Sequence, residues 1–521
     1  MSIAVRVKRG VYQDSVRLMR LSSELSQLSG VTRATVAMGT DANRRMLSEA
    51  GMLAPELSDA KADDLVVAVD ASSDEAAQAA LSRAEELLAQ ASRPERADGG
   101  GHRPRTVKSA VSGLGGANVA VISVAGEFAA LEAAHALESD LNVLLFSDNV
   151  SIEDERDLKA EAFRRRRLLM GPGAGTAIID GVALAFANVV RRGPVGVVAG
   201  AGSGLQEVTV LVHAGGSGIS QAIGTGGRDL TEAVGGLTTR LGLELLAEDP
   251  ETRVIILLSK PPQRVVADSV LGLAREVGKP VIVAFLGGEP TTLQGGNLSF
   301  AGTIEDAALQ AIQCVGGGTP DLFGPPSAEL RSAAIAEAQR LAPGARYIRG
   351  LYSGGSLCDE SLLILRGSKA QLGPVWSNAG GDASLRLADA WRSQGHTLVD
   401  LGEEEFTRGL PHPMIDLRVR QERLLAEAAD PETAVVLLDV VIGYGAHEDP
   451  APALAETIVR ARRTAEADGR YLAVVAHVCG TDLDPQSLER QEQALRDVGV
   501  LLAATNAQAA RLAGLIVSGR E

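Results

Sequence analysis

Cysteine is nearly absent. Cys314, Cys358 and Cys479 are the only three in 521 residues, and no two form a CxxC pair. That excludes a disulfide framework and a structural zinc site, so no metal is expected, and the expected compartment is the reducing cytoplasm. Aromatic residues amount to 3%, so the cores must be built from Val, Leu, Ile and Ala, as between parallel strands and helices. No apolar run approaches the ~20 residues that span a bilayer, and the opening MSIAVRVKRGVY has no positive-then-apolar leader pattern. Positive charge is short too: 50 Lys and Arg against 66 Asp and Glu leave a formal net charge of −16. Such a surface repels phosphate backbones and anionic lipids, so neither nucleic acid nor membrane is an expected partner. The basic run Arg164–Arg167 reads as a solvated helix end before a strand at Leu168. Signature motifs are missing as well. There is no Walker A lysine, dinucleotide-binding spacing, GxSxG elbow or HExxH helix.

What is present is alternation of strand and helix. The first ~92 residues pass through AVRVKRGVY, DSVRLMRLSSELSQL, TRATVAMG, DANRRMLSEAG, DLVVAVD and DEAAQAALSRAEELLAQ, which predicts a small α+β domain over 1–92. Residues 91–106, rich in Gly, Pro and Arg, read as a linker. From Gly116 the pattern is β-α-β throughout, which predicts an α/β fold with doubly wound parallel sheets. The boundaries fall at 115–192, 193–320 and 345–521. The second half also repeats itself: LLAEDPETRVIILL (245–258) returns as LLAEAADPETAVVLLD (424–439). The shared order of helix, DPET turn and apolar strand points to a duplicated α/β domain.

Each copy carries a glycine corner. VGVVAGAGSGLQE and RYIRGLYSGGSLCDE both place small residues before a serine, with a polar residue three positions on. The spacing predicts capping boxes, Ser203 with Gln206 and Ser356 with Asp359. Uncrowded N–H groups at a helix N-terminus attract an anion, so Gly202, Ser203, Gly204, Ser353, Gly354, Gly355 and Ser356 are candidate phosphate ligands. The plain alternative is an ordinary tight βα turn. A third loop, IGTGGRDL, adds Gly226 and Gly227 to the anion set and Arg228 as a charge partner; MGPGAGT is a fourth glycine loop. His412 and His447 sit in loops beside carboxylates.

The segments YQDSVRLMRLS, MGTDANRRML, FSDNVS, MGPGAGTAI, AFANVV, SQAIGTGGRDLTEAVGG and PHPMIDLRVRQERL cover most of the chain. In these the chain resembles the FdrA family, itself similar to the succinyl-CoA synthetase α subunit fused to the C-terminal domain of the β subunit. The resemblance implies a Rossmann-like CoA-binding domain at 115–192 and two flavodoxin-like ligase-type domains at 193–320 and 345–521. It implies CoA as the candidate cofactor, held by Ser123, Gly126, Glu127, Ser147 and Asn149. In MGPGAGT, Gly173 and Ala174 replace a more polar pair, which puts the CoA-side ligand in question. In the synthetases a Gly-His-Ala-Gly loop carries the phosphorylated histidine. The aligned LSFAGTI has Phe300 there, which has no lone pair to accept a phosphoryl group. The glutamate that supports that histidine is replaced by Lys260 in VIILLSKPP. The resemblance then implies a subunit of an oxamate carbamoyltransferase complex, with other protein subunits as partners and phosphate, carbamoyl phosphate or oxamate as the small-molecule ligand. Lys260 and Arg228 would be its catalytic charges, and a homodimer or higher oligomer is expected. Two other readings stay open: an NDP-forming acyl-CoA synthetase that uses His412 or His447 as phosphoryl carrier, and a non-catalytic CoA- or anion-binding scaffold.

Overall fold

A computed structural model describes the chain except residues 1, 12, 14, 41–42, 45–46, 48–51, 53–56, 58, 93–103, 289–294, 369–371, 408–410 and 520–521. The chain divides into two compact units, one of Met1–Arg103 with Thr407–Pro411, the other of Pro104–Phe406 with His412–Glu521.

The first unit contains β1 (Ser2–Lys8), α1 (Ser15–Ser26), β2 (Val31–Met38), β3 (Leu65–Ala71) and α2 (Asp74–Ser92). Its antiparallel sheet has the order β1-β3-β2. The central strand, LVVAVDA, is covered on both faces. Val67 and Val69 join the helices' Leu18, Leu25 and Leu81, while Val66 and Ala68 meet Leu47 and Met52. The α+β expectation for this region agrees with what is seen; the helix expected over DANRRMLSEAG and most of the 91–106 linker lie outside the described residues.

The second unit opens with α3 (Val107–Leu114), β4 (Val119–Ile122), α4 (Gly126–Glu138), β5 (Asn142–Leu145), α5 (Ile152–Arg164) and β6 (Leu169–Met170). These three parallel strands form a sheet of order β4-β5-β6. Next come the hairpin β7 (Thr176–Ile179) and β8 (Val182–Ala185), then β9 (Arg192–Ala199), α6 (Gly202–Ala214), β10 (Ile219–Gly224), α7 (Leu237–Glu248), β11 (Val254–Ser259), α8 (Arg264–Glu276), β12 (Val281–Phe285), β13 (Leu298–Phe300) and α9 (Ile304–Cys314). Their sheet runs β13-β12-β11-β9-β10-β7-β8. The boundary expected at 192 is therefore corrected: the hairpin hydrogen-bonds to β10 through antiparallel pairing at Ala222 and Ile178, and belongs to the second sheet.

After α10 (Ala328–Arg340) come β14 (Tyr347–Tyr352), α11 (Gly355–Arg366), β15 (Val375–Ser377), β16 (His396–Asp400), α12 (Glu404–Thr407), α13 (Arg418–Ala429), β17 (Thr433–Val441), α14 (Pro450–Ala467), β18 (Ala473–Cys479), α15 (Leu488–Asp497), β19 (Leu501–Ala503) and α16 (Asn506–Ser518). The last sheet has the order β15-β16-β14-β17-β18-β19. Numbering each domain's strands from its glycine corner, the first sheet runs 2-1-3-4-5, the flavodoxin-type order, with the β7–β8 hairpin beyond strand 2, and the last runs 2-3-1-4-5-6. The middle strands are buried along their whole length: β11 at all six positions and β17 at all nine. Helices cover both faces, so the apolar runs are continuous and do not alternate.

Candidate functional site

Strands β9 and β14 each end in a glycine corner, and the two corners meet. Ala201 and Gly354 are the extended N-cap residues, and neither helix has a side-chain cap. The expected capping boxes are corrected accordingly. Each helix begins one residue before its serine, so Ser203 and Ser356 lie inside the first turns and face each other. Ser356 N–H donates to Ser203 Oγ at 3.1 Å. A Cβ on Gly204 would lie 3.0 Å from Ser356 Cβ, and one on Gly354 would lie 2.8 Å from Ser203 Cβ. Glycine at these two positions is what lets the positive ends of two helices touch.

The two corners are not equally open. Ser353 N–H and Gly354 N–H both donate to Asp439 at 2.8 Å, and Ser353 Oγ donates to it at 3.0 Å. Asp439 is buried in β17 and is balanced by the buried guanidinium of Arg420, 2.5 Å away. Arg420 also donates to Leu351 O at 2.8 Å. The anion expected at Ser353 and Gly354 is thus a carboxylate of the protein itself. Asp400 Oδ2 presses on the Cβ position of Gly355, at the same helix end. At the other corner, the amides of Gly202, Ser203 and Gly204 open α6 without a side-chain cap.

Lys260 follows β11 and reaches across to Asp359 of α11 at 3.2 Å. Burial lowers the lysine pKa, but Asp359, Asp400 and Glu403 outweigh it and hold the ammonium above its ordinary range. Desolvation, reinforced by Glu403, pushes Asp400 up to about 7, against the pull of Gly402 N–H and Lys260. Arg228 is committed elsewhere: its Nη2 pairs with Glu155 and donates to Val150 O, each at 2.8 Å. The ion pair ties this loop to α5. Gly226, at φ +85°, backs onto Pro172 O at 2.6 Å from its Cβ position, and Gly227 onto Gly200 O at 3.9 Å; the two glycines allow close backbone packing of this loop.

His412 Nδ1 accepts Met414 N–H at 3.3 Å, and its ring lies 5.7 Å from Phe186. Desolvation drives its pKa down to about 4, so the imidazole is neutral. Asp449 N–H donates to His447 Nδ1 at 3.0 Å. Phe300 ends the edge strand β13 and packs on the core around β11 and β12.

On the CoA side, Ser123 and Gly126 flank the β4–α4 turn, and Glu127 lies in the first turn of α4. Ser147 and Asn149 follow β5; Ser147 Oγ is buried without a partner, and Asn149 has φ +60°. The main chain of Asp148 and Asn149 fills the Cβ position of Gly126. Desolvation raises the pKa of Asp148.

Asp400, Asp439 and Arg420 had not been singled out from the sequence. One signal was available for Asp439: a carboxylate inside the apolar run VVLLDVV. Asp400 closes an ordinary-looking strand, and nothing local marks it.

With this fold and this pair of helix corners, the chain is similar over part of its length to CoA-ligase proteins. The family model "CoA-ligase" matches residues 351–516. The chain belongs to the family of YahF from Escherichia coli (strain K12), described as an uncharacterized protein, with 45% identity over 516 residues and 98% of each chain covered. A second family model, "AllF, heavy metal-associated domain", matches residues 1–105. That stretch has no cysteine, so it lacks the thiolates a soft metal prefers. The ADP-forming succinate–CoA ligase α subunit of Aquifex aeolicus (strain VF5) is 29% identical over 205 residues, which cover 38% of this chain and 65% of that subunit. Among solved structures, PH0766 from Pyrococcus horikoshii OT3 matches over 81% of this chain and 87% of its own at 15% identity, with a TM-score of 0.30. The ATP citrate lyase of Methanothrix soehngenii matches over 80% and 85% at 14% identity, with a TM-score of 0.32.

Proposed function

We propose that this chain is a group-transfer subunit of the acid–thiol ligase type that holds a small oxyanion at the N-terminus of α6 and works without a phosphohistidine. One observation carries the reading: the Ser203–Ser356 contact brings two helix N-termini to one point. Asp439 occupies the α11 side, which leaves the Gly202, Ser203 and Gly204 amides to meet a ligand. Such donors stabilise negative charge as it builds on a reacting oxygen. Lys260 adds positive charge. Asp400, titrating near neutrality, can give or take the proton of a departing group. The superfamily relatives include subunits of succinate–CoA ligase and of an ADP-forming sulfoacetate–CoA ligase, which supports a role inside a multi-protein complex.

Phe300 favours a second, narrower reading of FdrA type: carbamoyl transfer between oxamate and phosphate. A phosphate oxygen would attack the carbamoyl carbon of oxalurate. The C–N bond to the oxamate moiety would break, and its nitrogen would take the proton that phosphate gives up. No phosphorylated side chain is needed. To separate the two readings, the purified chain, alone and with its co-purifying proteins, is supplied with a carboxylate, ATP and CoA, and in parallel with oxalurate and phosphate. Acyl-CoA supports the ligase reading and carbamoyl phosphate the transferase. Neither product from a folded, complete complex removes both, and acid-labile phosphate on any histidine removes the claim that none is phosphorylated.

A further inference from the structure

The strands whose loops are assigned to CoA are β4, β5 and β6, and they stand side by side in chain order. In a doubly wound sheet the ligand's phosphates settle in the crevice where the strand order reverses, between two βα turns that diverge to opposite faces. This sheet has no reversal. Among the described residues its first strand, β4, hydrogen-bonds to β5 alone, which leaves its other edge without a strand partner there. Apolar side chains along this flank stand in solvent. Val121 of β4 is 56% exposed, Leu114 of α3 73% and Phe128 of α4 58%. Helix α3 has no buried residue, although Val107, Val111 and Leu114 recur at helical spacing.

The turn that remains is closed. Gly126 opens α4 with its Cβ position filled by Asp148 O and the Asn149 carbonyl, so the backbone after β5 packs directly on this helix end. The acids at this mouth oppose an anion further. Glu127 occupies the first turn of α4. Asp148 reaches to 2.6 Å from the Cβ position of Gly173, in the loop after β6. Against two carboxylates the site offers one neutral hydroxyl, Ser147 Oγ, and the Arg228 guanidinium, which is already paired with Glu155.

We infer that this chain by itself has no seat for CoA or any nucleotide pyrophosphate, because its Rossmann-like domain is half of a doubly wound sheet. The inference rests on the ligase-type reading only for the identity of the missing ligand. The oxyanion site at α6 stands or falls separately.

Equilibrium dialysis of the full-length chain against CoA, ATP and inorganic phosphate in separate cells tests it. The expected result is no saturable retention of CoA or ATP into the millimolar range, with phosphate retained. Saturable one-to-one retention of CoA or ATP overturns the inference. If phosphate and CoA both fail to bind, the oxyanion reading falls and this inference stands; if CoA binds and phosphate does not, both fall. Hydrogen exchange over Val119–Ile122 supplies a second readout. The outward amides of a free edge should exchange within seconds, whereas protection of all four amides would show the edge covered and overturn the half-sheet premise.

Discussion

Glu207 and Glu360 are each the sixth residue of their helices, and each caps a helix of the other's domain. Glu360 of α11 accepts Ile304 N–H at 2.7 Å and Glu305 N–H at 3.2 Å, at the start of α9. Glu207 of α6 accepts Asn506 N–H at 3.4 Å, at the start of α16. Carboxylates at helix N-termini are favourable, and the exchange couples the duplicated domains at their shared core. His477 closes the network at 3.0 Å from Glu207, and Asn506 Nδ2 donates to Glu360 at 2.8 Å.

Glu360→Ala should therefore destabilise strongly, by about 2–4 kcal/mol, because it leaves buried amides and the Asn506 side chain unsatisfied. Glu360→Gln keeps one acceptor oxygen and should cost less than half as much. Denaturant midpoints of the two variants check this; equal losses would show that the cap is not the stabilising element.

The fate of Asp439 can be read with anions. Asp439→Ala leaves the Arg420 charge buried without its partner, which typically costs about 3–5 kcal/mol. It also frees the Ser353 and Gly354 amides beside that guanidinium. Added sulfate should then raise the melting temperature of the variant by several degrees more than that of the wild-type chain. Equal salt responses would mean that the vacated corner is not an anion site.

Packing of the two helix ends predicts non-additivity. Gly354→Ala places a methyl against Ser203 Cβ, and overpacking of this kind costs about 1–3 kcal/mol. Ser203→Gly removes the obstructing atom along with the Ser356 N–H acceptor. The double variant should recover at least half of the Gly354→Ala loss, as measured in a double-mutant cycle. Simple addition of the two losses would show that the corners do not touch.

Asp400 and Glu360 are both raised to about 7, chiefly by desolvation. The folded chain therefore binds more protons than the unfolded one between the ordinary carboxylate range and pH 7. Their contribution to stability is complete at acid pH and is lost as pH rises through 7, with a slope of up to about 1.4 kcal/mol per pH unit for each group. His396 and His412, lowered to about 4 by burial, act with the opposite sign between about pH 4 and 6.5. The clean observable is thus a difference: Asp400→Asn should gain stability relative to wild type as pH rises from 5 to 7.5. A pH-independent difference would show that Asp400 titrates normally.

Lys260→Met should weaken phosphate retention at least tenfold, whereas Arg228→Met, which loses an ion pair to Glu155, should lower the melting temperature and leave phosphate retention within twofold. The reverse pattern would move the anion to the Arg228 loop.

The sequence by itself determined the alternation of helix and strand, the duplicated domain, the apolar central strands and the two glycine corners. These follow from residues near one another in the chain, where hydrophobic period and backbone freedom act locally. Even the capping reading failed by only two residues, because a serine after two small residues does not say on which of them the helix begins. Tertiary structure decided which charges met. Asp439 fills a corner 85 residues away, Arg228 is neutralised by Glu155, Lys260 finds Asp359 across a domain boundary, and β4 has one strand partner among the described residues. Each of these depends on strand order and register, which bring distant residues together, and on burial, which makes every unpaired charge or amide there costly enough to choose its partner.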